Sequence, residues 1–138
     1  MNTPRWLRLG SWFAVAGWAL TIIVLSSMSG ERIEDINVLH LWDKAAHFAA
    51  FAVGGVLLAL AFRWNTEWDW PRIVLVSIGA VSLFGATDEW HQLYTPKRSG
   101  ADVRDWLADT LGAITGAAAT SRIYAQYQRK NRPTSARD

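Results

Sequence analysis

Four long apolar stretches, separated by short polar segments, make up most of the chain. The first, from Leu9 to Met28, contains no charged residue, and about 20 apolar residues are enough to cross the roughly 30 Å hydrocarbon core of a bilayer. The others cover about 43–62, 73–92 and 102–121, with charges near their ends and within the fourth. The pattern predicts an all-α fold, a polytopic membrane protein built as a four-helix transmembrane bundle.

The first apolar stretch also has a second interpretation, as a secretory signal peptide. Small residues that would suit cleavage follow it at 26–30. The stretch is long for the apolar core of a signal peptide, and no A-x-A pattern closes it, which favours a retained span and leaves cleavage open. We therefore predict a transmembrane domain over 1–125 and a basic polar tail over 126–138.

Lysine and arginine are divided unequally between the two ends of the predicted bundle. The end with both termini and the middle loop holds Arg5, Arg8, Arg63, Arg72, Arg122, Arg129, Lys130, Arg132 and Arg137. The opposite end holds Arg32, Lys44, Lys97, Arg98 and Arg104. Because cytoplasmic loops carry the excess of positive residues, we expect both termini to be cytoplasmic.

Composition removes several classes of function. The chain has no cysteine, so disulfides, thiolate nucleophiles and cysteine-ligated metals are excluded. A formal net charge of +2, with no basic face interleaved with aromatic residues, gives no support for a nucleic-acid partner. The expected partner is the lipid bilayer, and glycine-rich helix faces leave a homo-oligomer open.

Polar residues form stripes at helical spacing near the non-cytoplasmic ends of three predicted spans. The second span carries Asp43, Lys44 and His47, the third Asp88, Glu89 and Gln92, and the fourth Asp102, Asp105 and Asp109, followed on the same face by Gly112 and Gly116. A carboxylate within a span costs roughly 2.5–3.5 kcal/mol at the bilayer centre, so these acids are expected to face the bundle. The two glycines are expected to let another helix approach closely.

The converging residues predict a shallow pocket that opens outward. Arg98 in the turn after the third span suits a phosphate or carboxylate, with Asp43, Lys44, Gln92 and Asp102 as further binding residues. The candidates for acid–base or other catalytic work are Asp88, Glu89, His47, Asp105 and Asp109. No local metal-binding motif or phosphate-binding glycine loop occurs, so we assign no metal ligand and leave cofactors unknown.

The same residues resemble those of the VanZ-like family of bacterial membrane proteins. The matching blocks, in order, are Asp43-Lys44-x-x-His47-Phe48-x-x-Phe51, Asp88-Glu89-Trp90-His91-Gln92, Pro96-x-Arg98-Ser99, and Asp102-x-x-Asp105-x-x-x-Asp109-Thr110-Leu111-Gly112. Two positions depart from the family pattern. Lys97 replaces a glycine that is common before the arginine, and some members have asparagine where this chain has Asp109. The resemblance implies a cell-envelope protein of the cytoplasmic (inner) membrane, and it suggests a link to resistance against the glycopeptide teicoplanin.

Three functions remain open on the sequence. The first is binding of a polar or anionic envelope molecule, such as a lipid-linked or cell-wall precursor, in the pocket at the outer leaflet. The second is a hydrolase or transferase that acts on such substrates through the clustered Asp, Glu and His side chains. The third is a proton-coupled carrier, which buried acids and histidine would suit. A purely structural polar network is the simplest alternative to all three.

Overall fold

A computed structural model describes residues 3–29, 43–98 and 100–131, apart from the side chain of Asp43. These residues form four helices and no strand, which confirms the all-α class. The helices are α1 (Arg5–Ser26), α2 (Asp43–Asn65), α3 (Trp70–Gln92) and α4 (Val103–Lys130).

Helix boundaries follow local capping chemistry. The N-terminus of α3 has Pro71 in its first turn, where a missing N–H costs nothing, and the Asp69 carboxylate accepts from the backbone N–H of Arg72 at 3.3 Å. In the same way Asp102 caps α4. That helix continues to Lys130, so part of the expected tail is helical, and its basic last turn suits the negative end of the helix dipole.

Three of the four helices are long and apolar enough to cross a membrane: α1, α2 and α3. The exception is α4, whose sequence carries three charges in its first two turns and a polar second half. Its acids are nevertheless buried, whereas Leu107 and Leu111 lie exposed on its outer surface. The described bundle thus has polar groups inside and large apolar side chains outside, as expected where lipid replaces water around the protein.

The most extensive helix contact lies between α2 and α4, and small residues make it possible. A Cβ atom added at Gly112 would clash with the backbone carbonyl of Phe48, and one at Gly116 with that of Ala52. The contact is reciprocal, because a Cβ at Gly55 would lie 2.5 Å from the carbonyl oxygen of Ala113. The sequence prediction that the two α4 glycines serve packing is consistent with this geometry.

Trp18 is one of the residues through which α1 packs on α2. The indole of Trp18 lies against Gly54, where a Cβ atom would collide with the ring, and its Nε1–H donates to the carbonyl oxygen of Ala50 at 2.8 Å. The ring also packs edge-on against Phe51, with centroids 5.6 Å apart. This contact fixes the distance between α1 and the half of α2 that carries His47.

We expect Gly116→Ala to destabilise the bundle by about 2 kcal/mol, because the new methyl group meets helix backbone that cannot rotate away. Gly79→Ala is the matched control, since nothing lies within 4 Å of a Cβ there. That substitution should leave stability unchanged or raise it by up to about 1 kcal/mol through helix propensity. Thermal unfolding of the detergent-purified protein measures both, and equal effects would contradict the close α2–α4 contact.

Candidate functional site

The structure gathers nearly all of the predicted site residues at one end of the bundle. Lys44 and His47 lie in the first two turns of α2, and Asp88, Glu89 and Gln92 in the last two turns of α3. Arg98 lies in the linker, and Asp102, Asp105 and Asp109 lie at the start of α4. Asp43 begins α2, and its side chain falls outside the described residues.

A histidine–carboxylate pair forms the centre of this end. His47 Nδ1 lies 2.9 Å from Asp109 Oδ1, and Asp109 is completely buried while the His47 side chain is 15% exposed. The imidazole stacks on Phe51, with ring planes 9° apart. Asp109 also lies against Gly85 of α3, where a Cβ atom would come within 2.8 Å of its Oδ2. Three helices therefore fix the orientation of this one carboxylate.

A second ion pair between α2 and α4 is made by Lys44. Lys44 Nζ lies 2.6 Å from Asp105 Oδ1 and 3.7 Å from Asp102 Oδ2. The Asp105 side chain is 7% exposed and that of Lys44 is 46% exposed, so the pair runs from the interior to the surface. Asp105 is therefore neutralised by a lysine, whereas the deeper Asp109 is paired with histidine.

Glu89 connects α3 to the start of α4. Its Oε2 accepts from the backbone N–H of Asp102 at 2.9 Å, and its backbone carbonyl accepts from the N–H of Ala101 at 3.0 Å. Gly100 allows this fold-back, because a Cβ there would clash with the backbone of Leu93. The other carboxylate oxygen, Oε1, is buried and has no hydrogen-bond partner in the part of the chain that the structure describes, as is also true of Asp109 Oδ2.

Asp88 faces a different side of α3 from Glu89 and helps to line a cavity of about 140 Å³. Its Oδ2 accepts from Gln92 Nε2 at 2.9 Å, one turn along the same helix. The cavity has apolar walls and a polar end, lined by Ile22, Leu25, Ser26, Ala46, His47, Ala50, Phe51, Asp88, Gln92 and Arg98. Successive residues of a helix point about 100° apart, which is why Asp88 and Glu89 contact different parts of the protein.

Arg98 reaches the cavity from the linker rather than from a helix. Its Nη2 donates to the carbonyl oxygen of Leu25 at 3.2 Å, at the end of α1, and its Nε is buried without a hydrogen-bond partner in residues 3–29, 43–98 and 100–131. Thr95 makes a similar contact, since its hydroxyl donates to the carbonyl oxygen of Ser26 at 3.2 Å. The linker therefore ties the end of α1 to the site.

Sequence reasoning missed the contribution of α1. It placed the pocket between the second, third and fourth spans, yet Ile22, Leu25 and Ser26 form one wall of the cavity. Their spacing of 3 and 1 is that of a single helix face, but an apolar span gives no sign of which face meets protein and which meets lipid. His91, which received no role, is exposed and lies 3.1 Å from the hydroxyl of Ser27.

Comparison with protein families decides the classification. A family model described as VanZ/LLP1 matches residues 7–124, which covers most of each of the four helices and the whole candidate site. This chain belongs to the VanZ-like family. Searches of curated proteins and of solved structures found no significant match.

The VanZ-like match extends well beyond the blocks that carried the resemblance, which began at Asp43. It now includes most of α1, where the sequence alone showed no distinctive motif.

The backbone conformation at Lys97 explains why glycine is common at this position in the family. Lys97 has φ 59°, in the left-handed region that glycine enters without strain, and Ala101 in the same linker has φ 62°. The glycine common at position 97 of the family fits this backbone better than lysine does.

We expect Lys97→Gly to stabilise the protein by about 1 kcal/mol, because a left-handed conformation costs a residue with a Cβ roughly 1–2 kcal/mol. Lys97 also takes part in a further interaction, so we set the expected gain near the lower value. Lys130→Gly, in the last turn of α4, is the control and should gain nothing. A lower unfolding temperature for Lys97→Gly in detergent would show that backbone strain at this position is unimportant.

Proposed function

We propose that this chain is a multi-pass protein of the bacterial cytoplasmic membrane. It binds the polar head of an amphiphilic envelope molecule, such as a lipid-linked phosphate, at the outer leaflet. The observation that carries the proposal is the cavity between α1, α2, α3 and the linker, which joins apolar walls to a polar end with one arginine. An apolar pocket with a few convergent polar groups is the usual form of a small-molecule site.

The proposal includes membrane insertion of all four helices, which would place the cavity at the level of the bilayer. By hydropathy alone α4 is not apolar enough to count as a membrane span. Its Asp105 and Asp109 are buried and face the bundle, however, and its close packing on α2 leaves Leu107 and Leu111 on its outer face. The balance of lysine and arginine favours cytoplasmic termini, which directs the site end of the bundle toward the outer leaflet. A ligand with an apolar tail then reaches the cavity from within the bilayer.

The polar end of the cavity suits a head group that is both anionic and hydrogen-bonding. Arg98 offers a buried Nε–H that has no partner among the described residues, and a guanidinium binds phosphate oxygens with defined geometry. Asp88, 6% exposed, offers a carboxylate that accepts from a hydroxyl or amine. The volume of about 140 Å³ holds the head alone, so the tail must leave along the apolar surface of the helices.

Arg98→Gln should weaken binding of a polyisoprenyl phosphate by about tenfold or more, since a hydrogen bond to a charged group contributes roughly 1.5–3 kcal/mol. The matching polyisoprenol without phosphate should bind weakly to wild type and variant alike. Arg104→Gln is the control, because that side chain is exposed and does not line the cavity. Binding is measured by native mass spectrometry of the detergent-purified protein.

Two outcomes would contradict the proposal. Equal affinity of wild type for the phosphate and the alcohol would mean that no anion site exists. Loss of phosphate binding in Arg104→Gln, with Arg98→Gln unchanged, would move the site to another surface.

A hydrolase or transferase is the second candidate, favoured by the His47–Asp109 hydrogen bond. A carboxylate that orients an imidazole is the usual arrangement of a general base and its positioning group. His47 also lines the cavity, so the base would be within reach of a bound head group. Release of inorganic phosphate or a transferred head group from the lipid substrate, lost in His47→Gln while binding persists, would select this candidate over binding alone.

A further inference from the structure

Two carboxylates in the bundle interior are only half satisfied within the described part of the chain, since one oxygen of each has a partner and the other has none. Glu89 is 4% exposed and Asp109 is fully buried, and each has one oxygen without any hydrogen-bond partner. An ionised carboxylate that is buried without adequate pairing is costly, so such a group is normally paired, protonated or bound to a metal. Lys44 forms its short ion pair with a different acid of the cluster, Asp105.

The unpartnered acids lie beside a histidine from a third helix. Ligand atoms of His47, Glu89 and Asp109, one from each residue, all lie within 4.8 Å of one another. Two ligands of a transition-metal ion at about 2.1 Å lie at most about 4.2 Å apart, so small side-chain movements bring all three to coordinating distance. One imidazole nitrogen with two carboxylate oxygens is a donor set for Zn²⁺ or Mn²⁺.

We infer that His47, Glu89 and Asp109 form a binding site for one divalent transition-metal ion. The ion adds positive charge beside the two acids and binds their unpartnered oxygens. The inference concerns the metal alone and stands whether or not the neighbouring cavity binds a lipid head. It also separates these acids from Asp88 and Asp105, neither of which has a buried oxygen without a partner in the described part of the chain.

The site has support around it and a route to solvent. The backbone N–H of Asp102 holds the second oxygen of Glu89, and Gly85 leaves room for Asp109. Outer contacts of this kind orient metal ligands and raise affinity. Glu89 also lines a small surface cavity of about 160 Å³ together with Ala101 and Trp106, which brings solvent to one edge of the proposed site.

The test is metal binding by the full chain, purified in detergent, stripped with chelator and dialysed against Zn²⁺ or Mn²⁺. We expect about one ion per chain by elemental analysis and a rise in unfolding temperature of roughly 5 °C at saturating metal. Glu89→Gln and Asp109→Asn should each lower metal affinity by about tenfold or more. Asp105→Asn is the matched control, a buried acid in the same cluster that should keep both the ion and the shift.

Wild type gives a readout that does not depend on any variant folding. Co²⁺ bound by one nitrogen and oxygen ligands should give a weak visible absorption that is removed by one equivalent of Zn²⁺. Absence of both bound metal and this absorption in wild type overturns the inference. Equal binding by wild type, Glu89→Gln and Asp109→Asn overturns it as well, because the ion then lies elsewhere, for example at His91.

Discussion

The close approach of α2 and α4 is the constraint on which the site depends. Glycine and alanine at the contact let the two backbones meet without intervening side chains. That distance brings His47 to hydrogen-bonding range of Asp109, since a longer separation would leave a buried carboxylate with no partner. The packing and the polar pair therefore support each other: the small residues bring the charges together, and the charges fix the rotation of α4 against α2.

The second determinant is the linker between α3 and α4. Its two positive-φ residues and Gly100 turn the chain back onto the end of α3, so that Glu89 receives the first backbone N–H groups of the next segment. The same turn sends Arg98 across to the end of α1. A short strained segment thus completes both sides of the site, with the acids toward α4 and the arginine toward the cavity.

Much of this arrangement could be predicted from the sequence, because apolar runs and helical spacing are strong signals. The four helices, the inward acids of α4 and the packing role of Gly112 and Gly116 all follow from periodicity. The role of α1 could not be predicted, since every face of an apolar span looks alike in sequence. Nor could the separation of Asp88 from Glu89, because their different partners come from tertiary packing rather than from local pattern.

The most direct measurement of the central claim is a double-mutant cycle between His47→Gln and Asp109→Asn, read as the free energy of unfolding in detergent. Residues in one buried contact couple, whereas distant ones add independently. The account predicts a coupling energy of about 1 kcal/mol or more, because the loss of either partner already removes their shared hydrogen bond. Effects that add within about 0.3 kcal/mol would contradict it, since the α2–α4 contact would then not bring the two side chains together.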